Sequence, residues 1–467
     1  MIKLVPFEYV IIVVYLVFVL LLGLWKGRNV KNLNDYAVAG RSYGFLVIFM
    51  TLSASFIGGG FTIGNAERVF MIGIANIFCL WGFSLKELLV ARFVAPKMHY
   101  FPDAISVGDV MEKNYGMSGK FITGIFSVFL CAGILGAQVG GIGYISNLFL
   151  GIPVLYGIII GTGIVIAYDT VGGMRAVVAT DVMQFLTLAC GIPLALILGI
   201  HYVGGVGKVL SEVPPNHLSI LGTMRPLEFL SLFLTFLLGE TLVPPYVRRL
   251  FIGKDQVHTA RGTFWSGIFS IPLFFIAGSI GLIALLINPG LNANMALPAV
   301  IGTVLPVGLR ALVIAAIIAV IMSSADSFLN SASVAFIQDI IHPLRKERLS
   351  EKKGLFYVRL STLITGTLAI VFAVKIKNVL DILIYAYNFW APIILIPLAA
   401  TLLGIKSGKV TFFMSSVAGI LGVVIWDYLL KTPGGFSGLI IGVIINLVVF
   451  IISHNLEKTS KQKLTTL

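Results

Sequence analysis

The chain has 467 residues, of which 58% are hydrophobic and 11% charged, and its formal net charge is +13. A mean hydropathy of +1.01 leaves too little polar surface for a soluble globular protein, so we predict an all-α polytopic membrane protein. In a soluble protein the positive charge would suggest nucleic acid. Here it is typical of cytoplasmic loops, and no nucleic-acid partner is expected.

Apolar runs of bilayer-spanning length predict about 13 transmembrane helices in a single membrane domain, 1–467. The first run is about twenty residues long and is followed by Trp25-Lys26-Gly27-Arg28 instead of a small-residue cleavage site, which indicates a retained helix. In chain order the predicted spans cover about 6–25, 44–70, 76–95, 120–150, 153–170, 176–203, 224–250, 262–287, 306–340, 354–375, 379–403, 410–430 and 436–454.

The distribution of lysine and arginine predicts the orientation of these spans. With the N-terminus outside and the C-terminus in the cytoplasm, 24 basic residues fall in the cytoplasm, eight fall outside and Lys86 lies within a span. Arg248 and Arg249, at the end of the seventh span, are interpreted as cytoplasmic anchors of this topology. We therefore expect a multi-pass protein of the plasma (cytoplasmic) membrane.

The second span is interrupted by Gly58-Gly59-Gly60. Unwound backbone is costly in lipid, because its N–H and C=O groups have no water to bond, and it is tolerated only where it is buried in protein or lines a wet cavity. Freed carbonyls at such a break can coordinate a cation. The break is therefore a candidate ion and substrate site.

The seventh span is interrupted in a comparable way, by Gly239-Glu240-Thr241-Leu242-Val243-Pro244-Pro245. Two broken spans separated by five spans predict two five-helix inverted repeats with discontinuous first helices. The alternative is that glycine and proline match by chance. The predicted organisation is an extra helix 6–25, repeat one 44–203, repeat two 224–403 and peripheral helices 410–454.

The ninth span carries a dense group of hydroxyls. Ser323 and Ser324 follow the Val320 carbonyl by one turn, and Asp326 and Ser327 come next. Such oxygens suit a small hard cation. In the alternative interpretation, serines in a membrane helix only bond back to the preceding turn or pack against a neighbour.

Three segments carry a resemblance to known proteins: Ala54-Ser55-Phe56-Ile57-Gly58, Gly172-Gly173-Met174-Arg175-Ala176-Val177 with Thr180-Asp181-Val182-Met183-Gln184, and Met322-Ser323-Ser324-Ala325-Asp326-Ser327. Together they resemble the sodium/solute symporter family, and the resemblance covers nearly the whole chain. The branch most similar by motif is the choline-transporter-like one, on Gly58-Gly59-Gly60-Phe61 and the Ser-Ser-Ala-Asp-Ser run of the ninth span. The resemblance implies a leucine-transporter-type fold with one extra helix before two inverted repeats.

The resemblance also implies a sodium ion, Na⁺, between the first broken helix and the ninth span. The implied ligands are the carbonyls of Ala54, Ile57 and Val320 and the hydroxyls of Ser323 and Ser324. A second cation or a proton is expected at a neighbouring site, whose matching residues are Asp181, Asp326 and Ser327. Two nearby carboxylates repel each other unless such a charge intervenes.

The solute is expected to bind between the two broken helices. Glu240 is a costly charge near the bilayer centre and either pairs a substrate amine, titrates during transport or caps broken backbone donors. The aromatic cage that choline requires is incomplete, because Phe56 and Phe83 stand where larger rings are wanted. The substrate candidates are Phe56, Gly58, Trp81, Phe83, Gln138, Glu240, Val243 and Trp390.

These observations predict a sodium-coupled secondary active symporter that imports a small organic solute by alternating access. Its partners are the solute, sodium and the lipid bilayer, with no obligate protein partner evident. An enzyme is not expected, because no nucleophile–base set, metal cluster or phosphate-binding loop is found. The alternatives are a transporter-like membrane solute sensor and a proton-coupled carrier of an amine or carboxylate.

Overall fold

The computed structural model describes residues 4–345, 350–375 and 389–465, and in these ranges the chain is helical without any strand beyond an isolated bridge between Tyr43 and Gly253. Eight helices are long and apolar enough to cross a bilayer, and a bent pair makes a ninth crossing within the same ranges. The prediction of an all-α polytopic membrane protein is confirmed.

The main helices are named in chain order. Short helices at Leu33–Val38, Val206–Glu212 and Ala296–Val304 connect them. The main helices are α1 Pro6–Gly27, α2 Phe45–Phe56, α3 Gly59–Ile72, α4 Ala75–Leu89, α5 Val107–Leu150, α6 Val154–Tyr202, α7 Pro226–Leu238, α8 Pro244–Phe251, α9 Gln256–Ile287, α10 Leu309–Ala335, α11 Glu351–Lys375, α12 Ile396–Leu402, α13 Lys409–Val423 and α14 Gly438–Thr465.

Helix α6 is a hairpin of two crossings, because 49 residues of straight helix would extend about 74 Å, far beyond a bilayer of about 30 Å. Its backbone breaks at Gly173, where φ is +49°. Along α1, Gly23 packs against Tyr168, while Tyr15, two turns earlier, bonds to Thr187. The chain therefore turns back near Gly173, as predicted by the gap between spans 153–170 and 176–203.

Both predicted interruptions are present. Helices α2 and α3 meet at Ile57 and Gly58 with a bend of 50°. Helices α7 and α8 are separated by 239–243, where Leu242 adopts a left-handed φ of +57°. Pro244 and Pro245 then occupy the first turn of α8, where a missing N–H costs nothing.

Helix α10 forms the centre of the structure. In its most apolar 18-residue window, 94% of the residues are buried, as expected for a helix that is apolar on all sides. It packs against α1, α5, α6 and α11, and it also contacts both halves of the first broken helix and α8. Any group on α10 that faces the breaks is therefore shielded from lipid.

Two ion pairs each join segments that the positive-inside pattern assigns to the same side of the membrane. Glu8, at the start of α1, pairs with Arg310, at the start of α10, through two contacts of 2.6 Å. At the other end, Asp35 pairs with Arg175. The relative sidedness of these loops agrees with the prediction, whereas the assignment of either face to the cytoplasm stays a prediction.

The boundaries of the inverted repeats and the total of thirteen spans also stay predictions. Residues 379–388 of the predicted span 379–403 lie outside the described residues. Its remaining part is a π-helical segment, Ala391–Leu395, followed by α12.

Candidate ion and substrate site

The first break exposes backbone oxygens at the predicted place. The last intrahelical bond of α2 runs from the Ile57 N–H to the Ser53 carbonyl, 3.1 Å away. The final carbonyls of a helix have no partner in the following turn, and those of Ala54 and Ile57 belong to this group. Both residues are fully buried. Their oxygens are thus available to a ligand inside the protein.

The break lies directly against the hydroxyls of α10. A Cβ atom at Gly58 would overlap Ser324 Oγ, and one at Gly59 would touch the side chain of Ile321. Glycine at position 58 therefore lets the Ser324 hydroxyl keep its present position against the break. The structure brings together the first break and the α10 serines, which is the juxtaposition that the sequence predicted.

Ser323 contributes its hydroxyl to a polar network beside the break. It donates to Asp181 Oδ1 at 2.6 Å. Asp181 Oδ2 accepts from Arg249 Nη2 at 2.8 Å and from the Thr51 hydroxyl. The Asp181 and Arg249 side chains are both 0% exposed. This carboxylate therefore joins helices α2, α6, α8 and α10.

In the region of the predicted second site, a protein cation lies between Asp181 and Ser327. Ser327 Oγ accepts from Arg249 Nη2 at 2.7 Å and donates to the Ser323 carbonyl at 2.7 Å. Asp326 accepts from the Tyr168 hydroxyl at 2.5 Å. Asp326 Oδ1 lies 3.0 Å from Ser327 Oγ, and Arg249 Nη2 bridges Ser327 and Asp181, so the structure places the three residues close together.

The interpretation of Arg248 and Arg249 as anchors of the topology at the cytoplasmic end of the seventh span does not fit their surroundings, since both are almost completely buried. Arg248 donates to Ser331 Oγ and to the Ala37 carbonyl. Two arginines at the end of a span look like a positive-inside signal. Their position within one to two turns of a broken helix is the only local signal for a buried role.

Phenylalanine rings fill the space between the two breaks. Phe56, at the end of α2, lies 5.2 Å from Phe83 on α4 and 5.8 Å from Phe274 on α9, measured between ring centroids. Phe83 in turn lies 6.1 Å from Tyr246 on α8. The substrate candidates Phe56 and Phe83 are thus neighbours, and Phe274 and Tyr246 are members of this cluster that the sequence did not indicate.

A lysine ammonium lies on these rings. Lys86 Nζ is 3.5 Å from the ring centroid of Phe83 and 4.4 Å from that of Tyr246, within cation–π range. It also lies 2.7 Å from Glu87 Oε1, and both charged side chains are nearly inaccessible. The aromatic faces that a substrate ammonium would use at this depth already hold a cation from the protein.

Glu240 and Val243 lie in the second break. Glu240 is half-buried and accepts a hydrogen bond of 3.1 Å from the Tyr246 hydroxyl. Val243 is fully buried and forms the N-cap of α8. The carboxylate is thus fixed near the aromatic cluster by the same tyrosine that contacts Lys86.

The other substrate candidates have different surroundings. Trp81 donates its Nε1 proton to the Ile271 carbonyl at 3.3 Å and packs on Phe78. Gln138 is half-buried on α5. Trp390 begins the segment Ala391–Leu395, which packs on α13 and α14, and it makes no ring contact with Phe56 or Phe83 among the described residues.

Comparison with protein families gives one match that covers most of the chain. The profile described as the sodium:solute symporter family matches residues 36–419. The matched range contains both breaks, the Asp181 network and α10.

Two curated relatives are similar at low identity. The high-affinity proline transporter PutP of Bacillus subtilis is 26% identical over 455 residues, which cover 91% of this chain and 94% of that protein. The human high affinity choline transporter 1 is 27% identical over 409 residues, covering 81% of this chain and 68% of that protein. Both alignments extend over most of the membrane domain.

A solved structure has the same fold. It is described as the substrate-bound outward-open state of a Na⁺-coupled sialic acid symporter that reveals a novel Na⁺ site. It superposes with a TM-score of 0.82 at 20% identity and covers 96% of each chain. At this identity the likeness establishes the fold alone.

Proposed function

Because the chain belongs to the sodium:solute symporter family, and is therefore a multi-pass transporter and not an enzyme, we propose that it imports a small organic solute by alternating access, driven by one or more sodium ions. The family and its relatives support sodium-coupled solute symport. Four finer points belong to this proposal: the class of solute, the position of the ion site, the direction of transport, and the location in the cytoplasmic membrane.

The contact between Gly58 and Ser324 carries the proposal. Because of this contact, the carbonyls left without a helical partner at the first break lie near the hydroxyls of α10. Sodium is a hard cation that is bound by oxygen atoms, and in transporters such sites are formed at unwound helices. The proposed ligands are the carbonyl oxygens of Ala54, Ile57 and Val320 and the hydroxyls of Ser323 and Ser324.

The site explains how an ion drives a conformational change. A sodium ion held jointly by α2 and α10 stabilises only those states in which these helices are adjacent. An ion that binds one state more tightly than the other shifts the population toward it. Solute binding between the two breaks is coupled to sodium through the same shift, and the coupling is reciprocal.

Removal of the α10 hydroxyls tests the site. In proteoliposomes, we expect Ser323→Ala and Ser324→Ala to raise the sodium concentration for half-maximal uptake by at least about tenfold, because loss of one charge-assisted ligand contact costs roughly 1.5–3 kcal/mol. Ser333→Ala on the same helix is the matched control, since among the described residues that hydroxyl bonds back to the Leu329 carbonyl alone. An unchanged sodium requirement in both site variants contradicts the proposed ligands.

The solute is identified by thermal-shift measurements with and without sodium, because a ligand that binds the folded state raises its stability. A transported solute stabilises the protein more when sodium is present. Counterflow of the labelled solute then separates a carrier from a sensor, which binds without exchange. Uptake that follows a proton gradient equally well in potassium medium without sodium would overturn sodium coupling in favour of a proton-coupled carrier.

A further inference from the structure

The Asp181 carboxylate decides the direction in which the Ser323 hydroxyl points. The Asp181 carboxylate accepts a hydrogen bond on each of its oxygens, from Ser323 at Oδ1 and from the permanently charged guanidinium of Arg249 at Oδ2. The Ser323 proton is therefore directed to Asp181 at 2.6 Å. The lone pairs of Ser323 Oγ are left for another partner, which is the orientation that a sodium ligand requires.

Arg249 fixes this carboxylate from the second broken helix. Its Nε donates to Thr51 Oγ1 at 3.0 Å, and its Nη1 donates to the Pro245 carbonyl at 3.3 Å. Its Nη2 donates to both Asp181 and Ser327. Every nitrogen of the guanidinium is engaged, so its position is strongly determined.

The same Nη2 atom occupies the place of a second ion. It lies 2.8 Å from Asp181 Oδ2 and 2.7 Å from Ser327 Oγ. A sodium ion that bound these two oxygens would have to share the space of the guanidinium nitrogen. Arginine does not lose its proton in proteins, so this cation does not come and go during the transport cycle.

We propose that Arg249 is a built-in second cation: it positions Asp181, Asp181 orients Ser323, and a single sodium ion binds per chain. The inference rests on the proposed function and specifies its ion stoichiometry. It also gives Arg249 a coupling role. Occupancy of the sodium site on α2 and α10 is transmitted through Ser323 and Asp181 to α8, the helix that follows the second break.

Equilibrium binding of ²²Na⁺ to the purified full-length protein measures the number of sodium ions bound per chain. Potassium replaces sodium to keep the ionic strength constant. We expect saturation at one sodium per chain. Two sodium ions per chain would overturn the inference and leave the proposed function intact. Absence of saturable sodium binding would instead contradict the proposed function itself.

Arg249 variants test the positioning role. We expect Arg249→Gln to raise the sodium dissociation constant at least tenfold, while Arg249→Lys, which keeps the cation, stays within about threefold of the unmodified chain. The melting temperature without sodium is measured in parallel. Both variants lose part of the hydrogen-bond network, so a merely structural role would shift both melting temperatures and leave both dissociation constants alike. Sodium affinity that is unchanged in Arg249→Gln would overturn the proposal.

Discussion

The two discontinuous helices break for different physical reasons. The first break is a run of glycines, and it is close-packed at Gly58, where a Cβ atom would overlap the Ser324 hydroxyl in its present position. The second break is made by a charged segment and two prolines, and Leu242 within it has a left-handed backbone. Glycine permits approach, whereas the prolines only begin the next helix.

The chemical groups around the two breaks also differ. Carbonyls and hydroxyls surround the first break, which suits a small ion. The second break carries Glu240 and is followed by Arg249, so its groups are charged and directional. The difference fits our proposal that the first break binds the ion and that the second transmits its presence and meets the solute.

Helix α4 connects the two breaks. Phe83 contacts Phe56 of the first broken helix and Tyr246 after the second, and Lys86 lies over the rings of both Phe83 and Tyr246. Disruption of α4 at this point should therefore affect both regions together.

The largest expected effect comes from breaking this connection. Lys86→Met removes the ammonium and leaves Glu87 buried without its partner, which typically costs about 3–5 kcal/mol in the free energy of unfolding. We expect a markedly lower melting temperature in detergent micelles, together with loss of uptake.

The double variant Lys86→Met/Glu87→Gln is the control, because it removes both charges of the pair. We expect it to recover most of the lost stability, since the uncompensated carboxylate is then gone. If Lys86→Met alone melts at the temperature of the unmodified protein, the pair does not connect the two breaks energetically.

A variant with an intermediate expected effect tests the first break separately from the second. Gly58→Ala places a methyl group on Ser324, and overpacking of this kind costs about 1–3 kcal/mol. The backbone of Gly58 has φ −52°, which alanine adopts without strain, so the effect is steric. We expect the sodium concentration for half-maximal uptake to rise about tenfold or more.

Gly60→Ala is the matched control two residues away. Gly60 is exposed, and a Cβ atom there would meet none of the described atoms within 4 Å. We expect sodium dependence close to that of the unmodified protein. Equal loss of sodium dependence in both variants would mean that the glycine run acts through backbone flexibility instead of close packing.

Much of the architecture follows from local signals. The apolar runs predict the crossings, the Gly58-Gly59-Gly60 run predicts the first break, and Gly172-Gly173 lies in the gap that becomes the α6 hairpin. These features can be predicted from the sequence because the bilayer thickness sets the length of each span and because unwound backbone in lipid is energetically costly.

The partners across the fold were harder to predict. Asp181 and Arg249 are 68 residues apart, and neither carries a local mark of the other. The charge pattern favours a role for Arg249 as a cytoplasmic anchor of the topology, which does not fit its buried ion pair with Asp181. Trp390 illustrates the same limit, since its apolar surroundings are compatible with any buried helix face, and its segment packs on α13 and α14.

The smallest expected effect concerns the second break alone. Glu240→Gln keeps an acceptor for the Tyr246 hydroxyl but removes the charge, and replacing a charge-assisted hydrogen bond by a neutral one costs roughly 1 kcal/mol. We expect the KM for the solute found by the thermal-shift measurements to rise about fivefold, while the sodium concentration for half-maximal uptake stays unchanged. Tyr246→Phe is the control, because it removes the hydrogen bond and keeps the carboxylate. If the two variants change KM equally, Glu240 serves to hold the broken backbone in place; if only Glu240→Gln changes KM, the carboxylate itself meets the solute. A change in sodium dependence in Glu240→Gln would contradict the division of labour between the two breaks.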